Sequence, residues 1–492
     1  FTPSYSYEGD LFRLLGATRW EANDYSLGLD ATYRNWTFFA EQMYRSFRND
    51  PQIGALPNDP GANLPPAPTT ALAFLERDTP LRSHAAVTRG SVAGTIGERI
   101  QVSLRGLRDE ERMRAPYYEI SNGTGRNNAR IITRVLTADG FVKRPNSVVD
   151  AAASFDLNQH FTLNDSFRYS GFRILGDVNT LLNFQTQTGT ANSTTVITNT
   201  VGNRLTDYTS YWNTLSLQMS YGKRFSANLG WRAMLRDVTL NGLYTSRASN
   251  TTTVTTTPQD ESESIGTHAF VGGFRVRPTN RMSFIFDTEH GTSNNAFIRI
   301  NPLEYTRFRI RTQIQATDKL SFTGVVTTTD RTNPTPQVSN DSNMRSYTTA
   351  VNWEPNHRAW LNVGYDYHDL YSTANIRYFL AGNVLKTGRS LYYARLNTLF
   401  VNARFGLTQR LDALLVYYYL MDRGAPPVSV GPDDLVTALP LRRHNPEARL
   451  AFRFNHFITG NLSYRHYSYN EREFAVQDYR SNILTSSLRF TF

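Results

Sequence analysis

A carboxylate and an imidazole lie two residues apart in the segment Asp366-Tyr367-His368. In a strand this spacing places both side chains on one face, where an oriented imidazole could act as a general base. A solvated polar pair on a strand wall accounts for the same residues without any chemistry. His456 and His466 lie on adjacent predicted strands beside a turn, and they lack a third metal ligand. No HExxH, P-loop, GxSxG or EF-hand pattern occurs, so we expect that the chain is not an enzyme.

Arginine supplies the second candidate chemistry. The chain has 52 Lys and Arg against 42 Asp and Glu, a formal charge of +10. The basic residues are spread along the chain without a polybasic tail, zinc-finger spacing or RRM-type aromatic signature, so we expect no nucleic-acid partner. Nine arginines fall on the polar side of an alternating pattern: Arg232, Arg275, Arg277, Arg309, Arg311, Arg404, Arg449, Arg453 and Arg465. They form either an anion-attracting wall or one that is only hydrated, with Asp287, Glu289 and Asp366 as counter-charges.

The elements that position these residues are predicted to be β-hairpins. In Leu215–Leu235, apolar residues alternate with polar ones on both sides of the turn Gly222-Lys223-Arg224. The same pattern surrounds Thr317-Asp318-Lys319. Period-two alternation on both sides of a tight turn is typical of a hairpin with one apolar face. We predict about nine hairpins, with the other turns at these positions: 34–35, 97–98, 158–160, 278–280, 354–356, 408–410 and 456–458.

The connections between hairpins are predicted to be long and polar. They include the Pro-rich stretch Asn58–Pro68, the Thr/Asn-rich stretch Thr186–Thr200 and the stretch Ser249–Ser264. Short turns would then lie at one end of the sheet and long loops at the other. This asymmetry is typical of outer-membrane barrels, which have short periplasmic turns and long outer loops.

Composition agrees with a barrel. The 492 residues include 27 Tyr and 29 Phe but no Cys, which excludes disulfides, Cys-bound zinc and covalently attached c-type haem. No run reaches the roughly 18 to 20 apolar residues that a membrane helix requires. Because the sequence starts at Phe1 and not at Met, we expect that an export signal has been removed.

The sequence therefore predicts an all-β fold, a single closed antiparallel transmembrane barrel of roughly 20 strands (18 to 22) in the bacterial outer membrane. Residues 1–492 would form one domain without a separate plug. The end of the chain, with Leu488, Phe490 and Phe492 on one strand face, resembles the C-terminal signal of Gram-negative outer-membrane β-barrel proteins. That resemblance implies insertion by the barrel-assembly machinery and contact with outer-membrane lipid. We expect the last strand to pair with the first near Leu11–Trp20.

Three segments resemble the large barrels of porin–cytochrome conduits of the MtrB/PioB type: Arg277–Gly291, Gln315–Asp330 and Glu354–Asp369. The resemblance implies an insulating sleeve around a multihaem cytochrome, with haem present only through that partner. Some members carry a Cys pair near the N-terminus, which this chain lacks.

The alternative is a water-filled diffusion porin with a basic, anion-favouring lumen. It requires an inward loop to constrict the bore, and Asn58–Pro68 is the candidate. A second alternative, an outer-membrane enzyme, would depend on Asp366 and His368.

Overall fold

The computed structural model describes residues 4–7, 10–55, 57–59, 61, 70–125, 129–189, 191–296, 301–380, 384–424, 431–438, 440–471 and 478–491. Within these residues the regular structure is entirely β-strand, in one sheet of 22 strands. Among them, no helix is both long enough and apolar enough to cross a membrane.

The strands differ greatly in length, from three residues to 28. Their bounds are β1 Ser4–Tyr7, β2 Asp10–Tyr33, β3 Trp36–Ala55, β4 Ala71–Asp78, β5 Leu81–Ile96, β6 Ile100–Thr124, β7 Ala129–Asp156, β8 Phe161–Thr188, β9 Thr194–Tyr221, β10 Phe225–Ala248, β11 Val254–Val276, β12 Met282–Ser293, β13 Glu304–Thr317, β14 Leu320–Asn333, β15 Asn340–Asn356, β16 Ala359–Leu380, β17 Val384–Gly406, β18 Leu411–Asp422, β19 Leu435–Thr437, β20 Leu441–Arg453, β21 Ile458–Glu471 and β22 Tyr479–Phe490. Twenty-one of them are antiparallel, and β19 runs parallel to β17. The predicted all-β antiparallel fold of 18 to 22 strands is confirmed.

All nine predicted hairpins are present, each with a short turn. In the turn between β9 and β10, Gly222 has a φ of 58°, which glycine adopts without steric cost. One turn is displaced from its prediction. Asn356 still pairs with Ala359 in the β15–β16 ladder, so the chain reverses at 357–358 and not at 354–356. The register shift between Trp353 and Asn356 absorbs Pro355, which cannot donate a backbone hydrogen bond.

Two of the predicted loops are wrong. Most of Thr186–Thr200 belongs to β8 and β9, and β11 begins at Val254 within the predicted loop Ser249–Ser264. Threonine and valine are β-branched and favour extended backbone, so these Thr-rich stretches lengthen the strands. The polar composition that indicated loops reflects exposure to water on both faces.

A proline divides one long strand into β4 and β5. Both lie between β3 and β6: Asp78 pairs with Gln52 and Tyr118, and Arg82 pairs with Arg48 and Arg114. The break falls at 79–80, and Pro80 lacks the N–H that would continue the ladder.

The chain divides into two compact units. The first comprises Phe1–Ser154, Asp165–Asn213 and Met234–Ser264. The second comprises Phe155–Asn164, Thr214–Ala233 and Ile265–Phe492.

Within each unit the sheet separates side chains by face. In the second unit, paired residues place Phe286, Ile310 and Val326 on one face and Asp287, Arg309 and Thr327 on the other. The apolar face is uncovered: Leu217, Phe322 and Phe490 are 41%, 40% and 55% exposed. A soluble sandwich would bury such side chains between two layers. We call these the apolar face and the polar face.

The first unit repeats the arrangement. Leu29, Phe38 and Leu104, near the short turns, are all exposed on its apolar face. Aromatic rings mark the two ends of this band, at Tyr33 and at Tyr25, as interfacial belts do.

We predict that an arginine is tolerated on the polar face only. Ile310→Arg puts a charge where hydrocarbon is expected and should lower the free energy of unfolding by about 2 to 4 kcal/mol. The matched control Gln313→Arg lies on the polar face of the same strand and should change it by about 0.5 kcal/mol or less. Urea titration of the chain folded in phospholipid vesicles measures both values. Equal losses for the two variants would contradict the assignment of the faces.

Candidate functional site: the polar face of the sheet

The polar face carries most of the predicted arginines, and five of the nine are ion-paired. Arg232 Nη1 lies 2.8 Å from Glu289 Oε1. Asp412 accepts from two arginines and Glu447 from two more. Asp412 Oδ2 lies 3.2 Å from Arg404 Nη2 and 3.1 Å from Arg453 Nη2. Glu447 Oε1 lies 3.1 Å from Arg449 Nη2, and Glu447 Oε2 lies 2.7 Å from Arg465 Nε. A carboxylate between two guanidinium groups weakens the positive field at the wall. This agrees with the alternative of a wall that is only hydrated.

The remaining predicted arginines behave differently. Arg275 makes a 3.4 Å hydrogen bond to Ser283 Oγ. Arg277 was predicted to lie on a strand, but β11 ends at Val276. The backbone N–H of Arg277 donates to the carbonyl of Arg224 at the short-turn end. Strand β11 ends there because Pro278 follows and cannot extend the ladder.

Arg309 and Arg311 lie on the polar face of β13. Together with Arg307 they occupy alternate positions of β13, so three guanidinium groups follow one strand. Within the described part of the chain, none of the three has an ion pair or hydrogen bond to another side chain. Sequence reasoning missed Arg307, although its spacing of two from Arg309 was a visible signal. We call these three residues the arginine column.

The first unit has a charge ladder on its polar face that sequence reasoning also missed. Arg45 Nε bonds Asp24 at 2.8 Å, and Arg89 pairs with Glu41 on the neighbouring strands. Arg105 pairs with Asp150 at 2.7 Å. Strand register sets this alternation of charge between neighbouring strands. It cannot be inferred from the sequence before the strand pairing is known.

The end of the first unit that lies opposite the short turns has buried apolar side chains on the same face. Phe12, Leu14, Leu72, Leu75 and Ile131 form a buried cluster. Beside it, the buried carboxylate of Glu119 accepts from Arg77 and Arg134, both at 2.7 Å. In the same unit, Thr70 Oγ1 donates to the buried Asp10 at 3.0 Å.

The structure describes part of the candidate constriction loop. Of Asn58–Pro68, the structure describes Asn58, Asp59 and Gly61, and Asp59 pairs with Leu72. The rest lies outside the described residues, so the inward loop of the porin alternative stays a prediction.

The candidate catalytic and metal residues do not converge. Asp366 and His368 share the polar face and stand opposite Thr348 and Ser346. His456 lies in the β20–β21 turn itself, not on a strand, whereas His466 bonds Asn482 Oδ1 on β22. Within the described residues, no three His, Asp or Glu side chains are grouped as metal ligands. That the chain is not an enzyme stays a prediction.

The predicted C-terminal residues lie on β22. Leu488 and Phe490 are exposed on the apolar face, opposite Gly460 and Ile458. Phe492 lies outside the described residues. The roles of these residues in assembly, and the pairing of the last strand with Leu11–Trp20, stay predictions.

At the end of the second unit that lies opposite the short turns, residues 431–438 are held against β17. Asp434 accepts from the Arg389 guanidinium at 2.7 Å and from the N–H groups of Gly431 and Arg389, both at 2.9 Å. The Arg389 guanidinium, with these two N–H groups, lowers the pKa of Asp434 to about 2. Asp433 makes a separate 3.0 Å contact with Lys386.

Comparison with known proteins identifies the fold. No protein-family model and no curated protein matches the chain. Among solved structures, the siderophore receptor PiuA from Acinetobacter baumannii has a TM-score of 0.51 at 10% identity, covering 98% of this chain and 81% of its own. The ferric-catecholate import receptor Fiu from Escherichia coli K12 has 0.51 at 12%, covering 97% and 81%. BauA, the ferric preacinetobactin receptor from Acinetobacter baumannii, has 0.52 at 11%, covering 98% and 74%. The chain has the fold of an outer-membrane β-barrel.

The outer-membrane β-barrel and its place in the bacterial outer membrane are thereby confirmed. In this fold the apolar face meets lipid and the polar face looks into the barrel. At 10 to 12% identity the likeness concerns the fold, and the ligands of the three receptors belong to those receptors. One domain without a plug stays a prediction.

The Asp434 contact predicts a pH-dependent anchor. Because the pKa falls from 3.8 to about 2 in the folded chain, the contribution to stability is present above pH 4 and is lost as the pH falls through 2. Hydrogen exchange of the Gly431 and Arg389 amides should show protection at pH 5 that disappears near pH 2. Asp434→Asn should remove it at both pH values, whereas the control Asp433→Asn should leave it in place. Protection that persists in Asp434→Asn would contradict the assignment.

Proposed function

We propose that this barrel is the outer-membrane sleeve of an electron-transfer conduit and encloses a multihaem cytochrome. The length of the strands carries the proposal. Strands β7, β8 and β9 have 28 residues each, or about 90 Å along the strand. A tilted strand crosses the membrane in about 9 to 11 residues. This wall therefore continues well beyond the hydrocarbon.

A tall wall suits a sleeve better than a diffusion pore. The flux of a small solute falls as its path lengthens, so a porin gains nothing from added height. A chain of haems, in contrast, has to be shielded along its whole length. The TM-scores near 0.5 with large receptor barrels agree with a wide barrel, and a barrel of more than 18 strands has room for more than water.

The ion pairs on the polar face favour the same function. Asp24, Glu289, Asp412 and Glu447 neutralise arginines of their own wall. A wall with its charges paired is hydrated and has a weak field, so it can face a folded polypeptide without binding free ions. In this proposal the chain holds no haem of its own, and the cofactor belongs to the partner.

The arginine column favours a second candidate function, an anion-favouring diffusion porin. Three guanidinium groups at alternate positions of β13 would attract small anions along one line of the wall. This candidate competes with the sleeve because it needs an open, water-filled bore.

Purification of the tagged chain from outer membranes in mild detergent tests the proposal. We expect a co-purifying haem protein, seen by haem-stained gel and by absorbance, in about equimolar amount. Vesicles holding the complex should transfer electrons from enclosed reduced methyl viologen to external ferric citrate, and vesicles holding the barrel alone should not. A haem-free preparation would overturn the sleeve.

Conductance separates the two candidates. For a sleeve without its partner, we expect a wide pore with a reversal potential near zero in a salt gradient. The double variant Arg309→Gln/Arg311→Gln should leave that potential nearly unchanged, as should the control Arg404→Gln. A small, anion-biased conductance that loses its bias in the double variant alone would support the porin.

A further inference from the structure

The outer surface of the first unit has a second apolar region, separate from the lipid band. On the apolar face of β6 to β10, a belt of charged pairs follows the membrane band. Lys143 pairs with Glu110 at 2.9 Å and Arg173 pairs with Asp207 at 2.7 Å. Beyond this belt, apolar side chains reappear on the same face. Phe141, Val201 and Leu243 are 43%, 51% and 45% exposed.

These side chains line a groove of about 720 Å³. Its residues lie about 14 to 20 positions from the short turns of their strands, farther than the roughly 9 to 11 residues that cross the membrane. The groove therefore faces water and not hydrocarbon. An exposed apolar surface of this kind, rimmed by polar residues, is typical of a protein interaction site.

The charges around the groove determine what fits it. Arg114 is already neutralised by Asp139 at 2.8 Å. Asp177 also lines the groove, and within the described part of the chain it has no hydrogen bond or ion pair. The groove thus combines apolar walls with one available carboxylate. A lysine or arginine side chain matches both features, since its stem is apolar and its head is cationic.

We propose that this groove binds a partner protein outside the membrane. A lysine or arginine side chain of the partner packs its apolar stem against the walls of the groove and pairs its cationic head with Asp177. The groove lies on the outer face of the wall, so the interaction is independent of what the lumen holds. Lipopolysaccharide is disfavoured as the occupant because its phosphates would meet Asp177, while the arginine that lines the groove, Arg114, is already paired with Asp139. A second copy of the chain offers no matching observation.

Photocrosslinking in intact cells tests the proposal. With p-benzoylphenylalanine at Thr245, which lines the groove, we expect an adduct that proteinase K removes. The crosslinked peptide, read by mass spectrometry, should contain Lys or Arg close to the site. Asp177→Lys should reduce the yield at least fivefold. The matched control Asp237→Lys changes the same charge on the same face outside the groove and should leave the yield unchanged.

Other outcomes overturn the proposal. These are a protease-resistant lipopolysaccharide adduct, an adduct of twice the chain's 55.9 kDa, a protein adduct that does not depend on Asp177, and no adduct. Heat-dependent gel mobility confirms that each variant is folded. If Asp177→Lys does not fold, Asp177→Asn replaces it with a twofold or greater loss expected.

A small-molecule probe tests the chemistry of the groove directly. Hexylguanidinium should bind the purified barrel in nanodiscs saturably by saturation-transfer NMR, and hexanoate should not. Asp177→Asn should weaken hexylguanidinium binding at least tenfold. Equal binding of the two probes, or no effect of the substitution, would overturn the proposal.

Discussion

The backbone hydrogen bond is the constraint on which the structure depends. Inside a membrane no water competes for N–H and C=O groups, and each unpaired group costs several kcal/mol. A sheet satisfies these groups between strands, as in the ladders from β11 to β18. The ladder leaves both faces of a single layer open. One face can then be apolar and the other polar, and neither needs a second layer to cover it.

The same ladder explains the features beyond the membrane. Register brings Arg465 directly opposite Glu447 and places Arg404 and Arg453 diagonally beside Asp412. It also lets strands continue into water wherever β-branched residues favour extension, as in β9 and β11. The tall wall, the paired polar face and the outer groove therefore share one origin. The environment of the outer surface changes with distance from the short turns, from lipid near the turns to water farther out.

Sequence patterns predicted local features well. Alternation around Gly222 and around Thr317-Asp318-Lys319 predicted hairpins that the structure confirms, because period two depends only on neighbouring residues. Features that depend on pairing were not predictable. The Thr-rich strands resemble loops in composition, the break at Pro80 needs both neighbouring ladders to be seen, and the contact between Arg232 and Glu289 joins residues 57 positions apart. Arg277 was misplaced because a strand end depends on tertiary pairing, whereas alternation continues past it.

The most direct test of the account measures which environment each face meets. The chain has no Cys, so a single cysteine at each position from 308 to 313 can carry a unique nitroxide spin label. In lipid vesicles, the account predicts oxygen accessibility to peak at 308, 310 and 312 and accessibility to a water-soluble nickel chelate to peak at 309, 311 and 313. Equal accessibility at odd and even positions would contradict it.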